Sequence, residues 1–318
     1  MFAADGSSVA LFDERGLVLT HLDHLSWVLE IAGGQARTRA EDGFVTTVPF
    51  ASTLLDAHFD GGLLYVQGGP TVGVFAAATG AVQRSVCLGC AGGEAIATGL
   101  LTVGPDGALV GAGSEAVQRF DAITGAVLGE RIGEPWISDR IVAMAWSPDR
   151  SVLYVAAEAS LDSFVTALAY PSLDVLWTRP DPGGGDTRVH AMVVDDAGHV
   201  ITVEQIGTGP RELVVVDADG TLLDLPELRT GRALHLAYSP DGAALLALDG
   251  ALGGGPGEGH PEGLRVFDAD TGVLLHHRAD PTMAAWDGTA TLRILYREGL
   301  VAQTEVLDVW TGTSSFEP

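Results

Sequence analysis

The sequence contains no lysine and no asparagine. All 17 basic side chains are arginines, set against 42 acids, for a formal net charge of −25. This charge disfavours an electrostatic grip on nucleic acid or on an anionic membrane surface for the molecule as a whole. The lack of asparagine removes any N-glycosylation site. The two amino acids share codons that begin with two adenines, so their joint absence reads as the mark of a GC-rich genome. Selection against lysine chemistry alone would leave asparagine in place. The acids, 26 Asp and 16 Glu, would also suit a salt-adapted source, where they keep the chain soluble without specifying a partner.

Cysteine is scarce as well. Cys87 and Cys90 form one C-x-x-C, which cannot staple 318 residues and supplies only two of the four ligands of a structural zinc. No thioredoxin-like βαβ pattern surrounds it, so it reads as two small residues near a strand end, joined by a disulfide if the chain is exported. No run approaches the roughly 18 apolar residues of a membrane helix. The N-terminus, Met1-Phe2-Ala3-Ala4-Asp5-Gly6, has neither the basic start nor the apolar stretch of a signal peptide. A hydrophobic content of 47% excludes a disordered acidic tail.

What is plentiful is glycine, 42 residues of it, and some of these punctuate two series of turns. The first runs Asp5-Gly6, Asp60-Gly61, Asp106-Gly107, Asp149-Arg150, Ala197-Gly198, Asp241-Gly242 and Asp287-Gly288, at intervals of 55, 46, 43, 48, 44 and 46 residues. The second runs His24-Leu25, Thr79-Gly80, Thr124-Gly125, Ser172-Leu173, Asp219-Gly220, Thr271-Gly272 and Thr311-Gly312, at intervals of 55, 45, 48, 47, 52 and 40. Both series count seven units. Between the turns lie short runs of β-branched, aliphatic and aromatic residues, four to a unit. Strands so short cannot bury both faces unless neighbouring units stack against them. The spacing therefore predicts an all-β chain: one seven-bladed β-propeller over 1–318 with four antiparallel strands per blade. The expected blades are 1–33, 51–91, 92–135, 136–182, 183–229, 230–279 and 280–318. Residues 34–50, polar through Gln35-Ala-Arg-Thr-Arg-Ala-Glu-Asp42, fall outside the repeat as an insertion.

Trp146-Ser-Pro-Asp-Arg150 and Tyr238-Ser-Pro-Asp-Gly242 resemble the first turn of WD40-like and YVTN/PQQ-like propeller repeats. Phe120-Asp-Ala-Ile-Thr-Gly125, Val266-Phe-Asp-Ala-Asp-Thr-Gly272 and Leu307-Asp-Val-Trp-Thr-Gly312 resemble their third strand and the turn that follows. Phe-Asp stands where WD40 repeats have Trp-Asp, and no Gly-His dipeptide opens the units. The chain thus resembles a divergent bacterial propeller, which implies a fold and no activity. On this register the chain starts on an innermost strand and ends on an outermost one, without the shared blade that closes most such rings. Removal of upstream strand material is the economical account, and it would point to an extracytoplasmic origin.

Function in a propeller collects on the face where inner strands begin and where second strands turn into third. Ten residues before the first turn of units four to seven stand Arg140, Arg188, Arg232 and Arg278, an alignment that would place four guanidinium groups around one part of the channel mouth. The favoured reading is a set of inter-blade ion pairs with Asp139, Asp186, Glu204 or Asp280; the other is an anion-binding rim. His190 and His235 follow two and three residues after their arginines, without the spacing of a metal site. They read as core or channel residues first and as ligand contacts second. Trp136 is the best aromatic anchor for a partner, or else packs over a blade edge. The Gly-rich stretch from Asp249 to Gly263 lacks the Lys-Ser/Thr of a phosphate loop. No cofactor or metal is expected. The expected function is a non-catalytic binding platform for a protein partner or a small anion, with no nucleic acid and no membrane insertion. The alternative is a propeller enzyme, a lactonase-like hydrolase or quinone-dependent dehydrogenase, working at the channel mouth.

Overall fold

The computed structural model describes the strands given below and the segments that join them. It leaves out residues 1–7, 41–44, 50–55, 133–139, 181–186, 207–210, 224–232, 250–262 and further stretches of one to three residues. Among the described residues there are seven separate antiparallel sheets, each built from one contiguous piece of chain with its strands in sequence order. The first holds β1 (Ser8–Asp13), β2 (Gly16–His21), β3 (His24–Ala32), β4 (Gln35–Ala40) and β5 (Val45–Pro49). The second holds β6 (Asp56–Asp60), β7 (Leu63–Gly68), β8 (Thr71–Ala76) and β9 (Val82–Cys87), followed by a 3-10 turn at Cys90–Gly92. β10 (Leu100–Val103), β11 (Leu109–Ala112), β12 (Ala116–Phe120) and β13 (Val127–Ile132) form the third. The fourth contains β14 (Arg140–Trp146), β15 (Val152–Ala159), β16 (Asp162–Ala169) and β17 (Asp174–Pro180). The fifth contains β18 (Thr187–Val194), β19 (Val200–Ile206), β20 (Arg211–Val216) and β21 (Leu222–Leu223). The sixth contains β22 (Ala233–Tyr238), β23 (Ala244–Asp249), β24 (Leu264–Asp268) and β25 (Leu274–Arg278). The seventh contains β26 (Met283–Trp286), β27 (Thr291–Glu298), β28 (Val301–Asp308) and β29 (Ser314–Glu317).

Meanders of four or five strands like these are the units of a β-propeller, the fold that the turn spacing predicts. One difference concerns residues 34–50. They supply β4 and β5, hydrogen-bonded as the fourth and fifth strands of the first sheet, instead of standing outside it. Their polarity hid them, since Gln35-Ala-Arg-Thr-Arg-Ala40 carries little of the hydrophobic signal by which strands are recognised.

The chain forms two compact units, 1–141 with 171–173, and 142–170 with 174–318. In the first, Tyr65, Val72, Val74, Val86 and Leu88 of the second sheet share a core with Leu101, Val103, Leu109 and Phe120 of the third. In the other unit, the fourth and fifth sheets meet through Tyr154, Val165, Ala167, Val200 and Val216. The fifth and sixth meet through Ile201, Val203, Leu245 and Phe267, and the sixth and seventh through Leu246, Val266, Ile294 and Leu307. This packing explains the burial along each strand. β7 and β11 are buried on both faces, whereas the outermost β13 leaves Val127, Leu128 and Ile132 exposed.

Outermost strands also reach the turn between the third and fourth strands of the sheet that follows. The Gly89 amide, just past β9, donates to the Gly125 carbonyl at 2.8 Å. Arg131 Nε donates to the Leu173 carbonyl at 2.8 Å. The Trp177 indole N–H donates to the Ala218 carbonyl at 2.8 Å, its ring lying over Gly220. His276 Nε2 meets the Val309 carbonyl at 2.5 Å. Gly125, Gly220 and Gly312 hold φ values of +72°, +89° and +72°, a conformation that suits glycine, and Leu173 adopts φ +61° at the matching place. Four turns of the second series, those of Gly125, Leu173, Gly220 and Gly312, thus mark points where one sheet grips the next.

Candidate functional site

Arg188 is the second residue of β18. Its side chain is exposed between the buried Thr187 and Val189, the alternation of a strand with one covered face. The ladder then slips: Val189 faces Glu204 and Ala191 faces Val203, so His190 is the extra residue of a β-bulge. A bulge re-aims the side chain it carries. The half-buried His190 places Nε2 3.2 Å from Gln205 Oε1, and Gln205 lies opposite Arg188 in the ladder. Arg188, His190 and Gln205 therefore gather at the end of the β18–β19 pair, where β18 begins and β19 leaves for β20. The same slip occurs in β22 between Ala233 and His235, which makes Leu234 the bulged residue there. His235 follows it and pairs with Leu248, so the two histidines are not equivalent.

Beside this group lies a buried ion network. Arg179, near the end of β17, donates from both terminal nitrogens to Glu204, at 2.9 and 3.2 Å. The Thr202 hydroxyl donates to the same carboxylate at 2.6 Å. The side chains of Arg179 and Glu204 are 11% and 7% exposed, so a charge pair with forked geometry crosses from the fourth sheet to the fifth. A second such pair crosses from the sixth sheet to the seventh. Arg278 Nε donates to Glu305 at 3.0 Å, and the Tyr296 hydroxyl donates to it at 2.7 Å. Burial pushes the Glu305 carboxyl up, but hydrogen bonds from Tyr296, Arg278 and Ser314 and the charge of Arg278 outweigh it and hold the group below its usual range. Burial, and then Glu305 itself, push the Tyr296 phenol well above its usual range.

The four aligned arginines do not occupy equivalent places. Arg140 begins β14 and is exposed, Arg188 stands second in β18, and Arg278 ends β25, the outermost strand of the sheet before. The count of ten residues overshoots in the last unit because β26 begins only at Met283. Arg232 and Trp136 lie outside the described residues, as do Asp139, Asp186 and Asp280. His235 is described only as a position in β22. Of the expected acidic partners, Glu204 is indeed paired, but with Arg179, which the ten-residue register does not single out. Arg131 stands 48 residues earlier, near the end of the preceding outermost strand, but donates to the Leu173 carbonyl, so the repeat spacing does not announce the Arg179–Glu204 pair.

At the opposite ends of the strands, many of the acids are engaged in turns. Asp121 accepts from the amides of Ile123 and Thr124 and from the Thr124 hydroxyl, and Asp308 does the same with Trp310 and Thr311. In the other turn series, Ser147 and Ser239 donate to Asp149 and Asp241 at 2.7 Å. These bonds favour the charged carboxylates and hold all four acids below their usual range. Among the described residues no three His, Cys, Asp or Glu side chains are placed to hold a metal ion. No helix among them is long and apolar enough to cross a membrane.

No family model matches the chain, and no curated protein does. Solved structures do. The chain is similar to the Dos1 propeller, with a TM-score of 0.63 at 11% identity over 94% of this chain and 88% of that one. It is similar to Kuenenia stuttgartiensis hydrazine synthase, with a TM-score of 0.62 at 13% identity over 99% and 93%. It is also similar to dihydro-heme d1 dehydrogenase NirN in complex with DHE, with a TM-score of 0.60 at 12% identity over 99% of this chain and 73% of that one. These likenesses establish the β-propeller fold and carry no activity with them.

Proposed function

We propose that the chain is a non-catalytic binding platform that receives an anionic group, carried by a protein partner or by a small molecule. The contact lies on the face where the inner strands begin, with Arg188 and His190 of the fifth sheet as its centre. The observation that carries this reading is the bulge at His190. It sets an imidazole and a guanidinium beside Gln205 at the end of a rigid strand pair, which is how propeller scaffolds present polar groups to ligands. The neighbouring buried acid does not oppose an anion, because Arg179 already compensates Glu204. Arg278 belongs to this reading as further positive charge, its guanidinium shared with Glu305, and Arg140 is a proposed contact from its place in the sequence register. Arg232, His235 and Trp136 are proposed contacts on sequence grounds alone. The enzyme alternative rests on likeness to proteins such as the dehydrogenase NirN, which at 12% identity supports the fold only.

The test is calorimetric titration of the full chain with inorganic phosphate and with a polyglutamate peptide, at low and physiological salt. Binding that weakens roughly tenfold in Arg188→Ala and His190→Ala, with melting temperatures held within about 2 °C, supports the platform. Binding that ignores both substitutions, or a matching loss of fold, refutes it.

A further inference from the structure

The C-x-x-C segment sits where the second sheet meets the third. Cys87 ends β9 and is disulfide-bonded to Cys90, with their Cα atoms 5.6 Å apart. The two residues enclosed by the bridge, Leu88 and Gly89, are both buried, and Leu88 is fully so. Leu88 belongs to the core that joins the two sheets, alongside Leu101, Val103, Leu109 and Phe120 of the third. The backbone of this small loop is tied in three directions. The Leu88 amide donates to the Pro70 carbonyl at 2.7 Å, the Gly89 amide to the Gly125 carbonyl at 2.8 Å, and the Ile96 amide to the Leu88 carbonyl at 2.9 Å. Gly89 adopts φ +74°, a conformation that directs its amide to the Gly125 turn. The bridge thus constrains the loop by which the second sheet holds the third. The two cysteines differ in exposure: Cys90 is exposed, whereas Cys87 is half-buried.

We propose that this disulfide is a thiol-exchange site, attacked at Cys90 by a small dithiol, and that its reduction releases the second sheet's hold on the β12–β13 turn. A thiolate of the dithiol attacks Cys90 Sγ. The Cys87–Cys90 bond breaks, and Cys87 leaves as a thiolate that takes a proton from water. The reagent's second thiolate then attacks the mixed disulfide, which frees Cys90 as a thiol and leaves the reagent as a cyclic disulfide. Two electrons pass from reagent to protein, and both cysteines end reduced. Attack falls on Cys90 because it is the more exposed of the two cysteines. Once the bridge is open, Gly89 can leave its left-handed conformation. The Gly89–Gly125 hydrogen bond and the burial of Leu88 are then held by non-covalent contacts alone.

The test uses the full chain under native conditions, with dithiothreitol as the probe. Thiol alkylation read by mass spectrometry reports the bridge, and amide hydrogen exchange reports the contact. The expected result is no alkylation before reduction and two alkylated cysteines after it. Exchange should accelerate roughly tenfold in peptides covering 86–92 and 121–126, with peptides from β18 to β29 unchanged, and reoxidation should restore protection. The double variant Cys87→Ser with Cys90→Ser should exchange at the fast rate with or without the reagent. Three results would overturn the proposal: both cysteines alkylated before any reductant, a bridge that resists millimolar dithiothreitol in the folded chain, or reduction without a change in exchange at these segments. The wild-type measurement decides the matter even if the double variant does not fold.

Discussion

Gly125 offers a direct measure of how firmly one sheet grips the next. Its φ of +72° is left-handed, and an added methyl group would overlap the Cys87 carbonyl oxygen and come within 2.8 Å of the carbonyl carbon. Those atoms are backbone and cannot rotate aside. Gly107, in the first-turn series of the same unit, has a φ of +78° and open space within 4 Å of the methyl position. Gly107→Ala therefore reports backbone strain alone, about 1 kcal/mol. Gly125→Ala carries the same strain and must also push the β12–β13 turn away from Cys87. That movement breaks the Gly89–Gly125 hydrogen bond and strands a buried amide, which costs roughly 1–3 kcal/mol more. The expected total is about 2–4 kcal/mol. Gly312→Ala should fall between the two, because its methyl group would meet the His276 ring at 3.2 Å, a side chain that can yield. Urea unfolding followed by circular dichroism, with midpoints compared at constant slope, gives the order. Equal losses at Gly125 and Gly107 would show that the close approach contributes nothing and would refute the grip.

Other substitutions probe the remaining contacts. Arg179→Ala leaves the Glu204 carboxylate buried beside Thr202 and should cost roughly 3–5 kcal/mol in urea unfolding. Replacing the pair together, Arg179→Met with Glu204→Leu, should recover most of that loss. Trp177→Phe keeps a ring over Gly220 but deletes the bond to the Ala218 carbonyl, a loss of about 1 kcal/mol in thermal unfolding. A loss as large as that of Trp177→Ala would contradict it. Amide and hydroxyl bonds from Thr124 hold the Asp121 carboxyl below its unfolded value, and Thr311 acts likewise on Asp308. A depressed folded value means that the contribution is present above the ordinary carboxylate pKa near 4 and lost as the pH falls through the folded one. Unfolding midpoints should therefore drop on acidification below about pH 4, and less steeply in Asp121→Asn with Asp308→Asn. An unchanged slope would refute the role of these turns.

The turns were legible in the sequence because their chemistry is local. Asp308 and Thr311 close a loop three residues apart, and the glycine after the threonine supplies the positive φ. A strand such as Val152–Ala159 is legible for the same reason, being bounded by Ser-Pro-Asp-Arg on one side. The site was less legible, because its geometry depends on partners far along the chain. Glu204 finds Arg179 across 25 residues and Glu305 finds Arg278 across 27, and no fixed spacing from a turn identifies such partners. The bulge that singles out His190 is a property of the ladder between two strands, and nothing in the residues of β18 alone announces it. Arg278 shows the limit of register counting: crossover lengths vary between units, so one offset reaches an inner strand in one unit and an outer strand in another.

Every sheet here pairs strands only with their neighbours in the sequence, and the grips described above run from one sheet to a turn of the sheet after it. Such an order suits synthesis from a ribosome. A sheet can close its own hydrogen-bond ladder as soon as its roughly 45 residues have emerged, without waiting for distant chain. Its outermost strand then offers waiting donors, the Gly89 amide or the Trp177 indole, to a turn not yet made. The nascent chain would thus gain protection in steps of one sheet, each step secured when the turn after the third strand of the following sheet leaves the tunnel.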